Sequence, residues 1–60
     1  SHQQKVGSFL KELRHEKGLT QEQLAEEFHT TNRSVSRWEN GKTMPDYSLF
    51  SSICEILRVS

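Results

Sequence analysis

The sequence has a single cysteine, Cys54, so the chain can form no internal disulfide. It also contains no apolar run near the roughly 18 residues that span a bilayer, and no signal-peptide pattern is visible. Together these features point to a reducing, cytoplasmic setting and away from a membrane. Its three histidines, His2, His15 and His29, stand at no spacing that resembles a metal site, so neither metal nor cofactor is expected. No motif joins them to a serine or to Cys54 as base and nucleophile, and sixty residues are too few for a substrate pocket. The chain is therefore expected not to be an enzyme, with no catalytic residue and no small-molecule site. A global basic excess is missing too: eight cations balance eight carboxylates for a formal net charge of +0.

Hydrophobic residues make up 32% of the sequence, enough for one domain with a small core. Domains of this size bury only about 60% of their unfolded surface, and the core rarely supplies more than ~3–5 kcal/mol. The charges are segregated along the chain. Residues 1–17 carry four cations against two carboxylates, residues 20–28 carry three carboxylates and no cation, and residues 32–42 carry three cations against Glu39.

The stretch from Leu19 to Gly41, LTQEQLAEEFHTTNRSVSRWENG, predicts two short helices joined by a tight turn. Thr20 and Gln23 form a capping box, and Leu19 with Leu24 a hydrophobic staple, so three cues mark one helix start. Leu24, Ala25 and Phe28 give that helix one apolar face, opposite Glu22, Glu26 and Glu27. Weak helix formers from His29 to Asn32 end it, Thr31 caps the next helix, and Gly41 closes that one after Asn40. In the second helix Val35, Trp38 and Glu39 point one way. Arg33, Ser36, Arg37 and Asn40 fall at i, i+3, i+4 and i+7 on a polar, cationic face without carboxylates. Arginine suits bidentate bonding to guanine O6 and N7 in a major groove, and asparagine suits adenine N6 and N7. A solvated surface helix can carry two arginines as well, but the helix pair and its spacing favour the DNA-reading face.

The motifs GLTQEQL at Gly18–Leu24, Ala25, TNRSVSRWENG at Thr31–Gly41 and Pro45-Asp46 resemble the helix-turn-helix domain of the lambda repressor and Cro superfamily, from about Val6 to Ser60. The resemblance implies an all-α, compact four-helix bundle, a truncated form of the family's five-helix fold. It implies sequence-specific binding of double-stranded DNA in the major groove through the helix Asn32–Asn40, as a transcriptional regulator, with repression expected. It puts Asn32, Arg33 and Arg37 at base-reading positions and Ser34 near the DNA backbone or a thymine methyl. Gln21 then touches phosphate, and Asn40 and Lys42 grip the far phosphates. The resemblance also pairs Arg14 with Glu39 across the fold, which explains an acid on the reading helix by turning it inward. The acidic flank of the first motif helix is expected to face away from DNA.

Around the motif, a helix is expected over about Gln3 to Lys17 with Val6, Phe9, Leu10 and Leu13 inward and Gly18 ending it. Gly7 inside it is unfavourable by roughly 1 kcal/mol relative to Ala and points to close packing. His29 stands where the family usually has glycine, so a strained or altered turn is expected there. Pro45 and Asp46 introduce a last helix ending near Leu57, with Tyr47, Phe50, Ile53, Cys54 and Leu57 inward and Leu49 and Ile56 at the margin. Val59-Ser60 stands where the family's fifth helix would begin, and Arg58 replaces a common glycine. Residues 1–60 are accordingly expected to be an N-terminal domain of a longer protein that forms a homodimer. The alternative is a protein-interaction module of antitoxin or anti-regulator type that keeps the fold without reading DNA.

Overall fold

The structure, a computed structural model, describes residues 1–57; Arg58 and Val59-Ser60, and the expectations that rest on them, lie outside the described residues. Four helices follow in order, α1 (His2–Glu16), α2 (Gln21–Glu27), α3 (Asn32–Glu39) and α4 (Tyr47–Leu57). The fold is the expected all-α four-helix arrangement, with no strand among the described residues.

The start of each motif helix follows from its cap. Thr20 Oγ1 accepts from Gln23 N at 3.0 Å while Thr20 N donates to Gln23 Oε1 at 2.8 Å, which is the full capping box. Thr31 Oγ1 accepts from Ser34 N at 3.1 Å, and Asp46 Oδ1 from Leu49 N at 2.9 Å. The helix ends share one closure. Leu19 N donates to Arg14 O, Thr30 N to Ala25 O and Lys42 N to Arg37 O, each bond reaching five residues back. Such a closure needs one residue in the left-handed region. That residue is Gly18 at φ 69°, His29 at φ 54° and Gly41 at φ 73°.

The core is Leu10, Leu24, Ala25, Val35, Trp38, Ile53 and Leu57, with Val6, Leu13, Leu19, Phe28, Leu49 and Phe50 packed against it. Two inward assignments are corrected. Phe9 is 51% exposed and Tyr47 84% exposed. On α1 the buried stripe is Gly7, Leu10 and Arg14, at i, i+3 and i+7, which turns Phe9 more than a quarter turn from the core. On α4 the stripe centres on Ile53 and Leu57. This leaves Tyr47 on one flank and Ile56, 53% exposed, on the other, while Leu49 packs inward.

Candidate nucleic-acid interface

α3 owes its orientation to what it buries. Val35, Trp38 and Glu39 are its buried residues, so Asn32, Arg33 and Arg37 are left exposed on the other side. None of these three side chains makes a hydrogen bond among the described residues, and the ion pair found there is Arg14 with Glu39, so no described carboxylate lies within 4.0 Å of Arg33, Arg37 or Lys42. The exposed side of α3 is thus a cationic surface with its guanidinium donors unspent.

The acid on α3 is neutralised from behind. Arg14 Nε donates to Glu39 Oε2 at 2.7 Å and Arg14 Nη2 to Glu39 Oε1 at 3.0 Å, a bidentate pair between side chains 8% and 2% exposed. Arg14 Nη1 donates to Leu19 O at 2.7 Å, and Nη2 lies 3.2 Å from His15 Nε2. Burial pulls the Glu39 carboxyl upward. Hydrogen bonds from Arg14 and Gln21, with the charges of Arg14 and Lys11, outweigh that pull and leave it below its usual value. With Arg14 bound, Glu39 carries no uncompensated negative charge toward the arginines of its own helix.

The remaining polar residues named from the sequence occupy three places. Gln21 is half-buried, and its Nε2 donates to Glu39 Oε1 at 3.0 Å. Ser34, half-buried in the first turn of α3, accepts from Thr31 Oγ1 at 3.1 Å and keeps its own hydroxyl proton to donate. Asn40 folds back on its helix, Nδ2 donating to Ser36 O at 2.8 Å and Ser36 Oγ at 3.3 Å. In that rotamer it presents an acceptor outward, so a grip on phosphate, itself an acceptor, requires its amide to turn. Lys42 is exposed just past α3. Sequence reasoning missed the bond from Gln21 to Glu39. Nothing in a linear pattern signals it, because the two residues are 18 positions apart and meet only when α2 packs on α3.

Away from α3, Cys54 is half-buried on α4 and burial pushes its thiol up, which makes it a poor nucleophile. Among the described residues no three His, Cys, Asp or Glu side chains come together as a metal site, and no helix is long and apolar enough to cross a membrane.

A family model described as Helix-turn-helix matches residues 10–60. The chain is 39% identical over 51 residues to the HTH-type transcriptional activator BcrR of Enterococcus faecalis, a match covering 85% of this chain and 25% of that protein. The chain thus spans about a quarter of the length of that relative. No solved structure matches it.

Proposed function

We propose, since the chain belongs to the helix-turn-helix family of the lambda repressor and Cro type, that it is the DNA-reading domain of a transcriptional regulator and binds double-stranded DNA sequence-specifically through α3. The observation that carries this reading is the pair of exposed guanidinium groups of Arg33 and Arg37, without a carboxylate partner among the described residues, on a helix whose one acid is buried against Arg14. Arg33, Arg37 and Asn32 read base edges. Ser34, Gln21, Lys42 and, once its amide leaves Ser36, Asn40 hold the sugar-phosphate backbone. The α2 acids Glu22, Glu26 and Glu27, none paired with Arg33 or Arg37, favour the orientation that puts the basic face on the duplex. The setting is the cytoplasm, and the whole regulator acts as a homodimer on two half-sites on the order of 34 Å apart.

A fluorescence-anisotropy titration against a randomised duplex pool at two salt concentrations, with bound DNA recovered and sequenced, tests this. Salt-sensitive binding and a recovered half-site containing guanine are expected. A folded sample that binds nothing at low salt overturns the proposal in favour of a protein-interaction module. Placing the recovered site across a reporter promoter then gives the sign of regulation, with repression by occlusion expected.

A further inference from the structure

Arg14, Glu39 and Gln21 come from three different helices and meet at one carboxylate. Glu39 Oε1 accepts from both Arg14 Nη2 and Gln21 Nε2, each at 3.0 Å, while Oε2 accepts from Arg14 Nε at 2.7 Å. Arg14 also holds Leu19 O at 2.7 Å, two residues before Gln21. The turn into α2, the first residue of α2 and the last residue of α3 are therefore tied to a single buried ion pair, the turn through Arg14 and Gln21 through the Glu39 carboxylate. A surface glutamine ordinarily samples many rotamers, and ordering it is entropically unfavourable. A bond from its amide to an ionised, buried carboxylate opposes that freedom and fixes which way the amide faces.

We propose that Glu39 is a positioning residue for the DNA backbone: buried and out of reach of the duplex, it holds the Gln21 amide in register with Arg33 and Arg37. One Nε2 proton is engaged by Glu39, and the other is left to donate to a phosphate. Because Glu39 lies on the same helix as the two arginines, the phosphate grip at α2 and the base readers on α3 share one rigid frame. Arg14 is the anchor of that frame, since it keeps the carboxylate ionised and oriented. The inference rests on the DNA-reading function proposed above and adds to it a specific device that aligns backbone grip with base readout.

The test uses the full chain and duplexes carrying the recovered site, in which one phosphate at a time is replaced by a neutral methylphosphonate. Binding is measured by anisotropy for the wild type, Gln21→Ala, Glu39→Met and the double variant. Both Glu39 oxygens accept from Arg14, so an amide introduced there would keep its carbonyl on Gln21 Nε2, whereas methionine has nearly the same shape and offers no oxygen acceptor. Gln21 is then released with little change of volume. The wild type should lose about tenfold at one particular phosphate, the size of one hydrogen bond to a charged group. Gln21→Ala and a folded Glu39→Met should both lose that site-specific sensitivity, and the double variant should add nothing. A merely structural role for Glu39 would weaken every duplex alike.

A folded Glu39→Met that keeps the wild-type sensitivity overturns the inference, as does a wild type that binds the site but has no such phosphate. If Glu39→Met does not fold, side-chain 15N relaxation of the wild-type Gln21 NH2 group decides. Rigidity well beyond that of the exposed Gln3 amide is expected, and equal mobility overturns it. A wild type that binds no duplex removes the DNA reading itself, an outcome distinct from either of these.

Discussion

Gly7 on α1 lies against the backbone of Glu39 on α3 with no room for a side chain between them. A Cβ at Gly7 would sit 2.9 Å from Glu39 O and closer still to Trp38 O, both backbone atoms that cannot swing aside. The glycine that weakens α1 as an isolated helix is what lets α1 reach the end of α3, and with it brings Arg14 to Glu39.

Gly7→Ala should therefore destabilise the domain despite alanine's better helix propensity. The gain of about 1 kcal/mol within the helix is set against overpacking of ~1–3 kcal/mol or more. The clash is with backbone on two consecutive residues, so the upper end applies. Urea denaturation followed by circular dichroism should show a lower midpoint at an unchanged slope.

Arg14→Ala is expected to unfold the chain at 25 °C. Breaking a buried pair by removing one partner costs about 3–5 kcal/mol, as much as a core of this size supplies. Loss of the helical signal in far-UV circular dichroism is the check, and a cooperative thermal transition near that of the wild type would contradict it.

Acid should act on the same pair. The folded-state pKa of Glu39 is depressed, so its contribution to stability is fully present above the unfolded carboxylate value, about 4.3. That contribution is lost as pH falls through the lower folded value. Denaturation midpoints measured from pH 6 downward should fall below about pH 4 more steeply in the wild type than in Glu39→Gln.

His29→Gly should stabilise. A non-glycine residue in the left-handed region carries a penalty of roughly 1–2 kcal/mol, while the added freedom of glycine in the unfolded chain offsets up to ~1 kcal/mol. The expected net gain is a few tenths to about 1 kcal/mol, and His29→Val should lose stability instead. Paired denaturation curves of the two variants measure both signs.

Arg33→Ala and Arg37→Ala should each weaken binding to the recovered site by ~1–3 kcal/mol and relax base preference. Lys42→Ala should weaken cognate and random duplexes alike and reduce the salt slope by about one. Equal losses on both duplexes for all three variants would remove the division between base readers and backbone grips.

Much of this molecule is legible from the chain because its signals are local. Thr20 with Gln23, Thr31 and Asp46 announce helix starts within four residues, and Gly18 and Gly41 announce helix ends in the same way. The side of α3 that carries Arg33 and Arg37 follows from its period. His29 is the informative exception. It takes the left-handed position that glycine fills after α1 and α3, and its identity alone does not reveal that conformation. The closure from Thr30 N to Ala25 O shows it.

Tertiary structure decided what period and propensity leave open. Phe9 and Leu10 are adjacent apolar residues, and both suit an inward stripe. The close approach at Gly7 rotates α1 so that Leu10 is buried and Phe9 exposed. The sequence by itself determined four helices, the caps that start α2, α3 and α4, and the cationic side of α3, because each depends on contacts within one or two turns. The packing of α1 and α2 on α3 alone decided that Arg14, Gln21 and Glu39 meet at one carboxylate. Their separations of 25 and 18 residues are bridged only by burial of the apolar faces on which they ride.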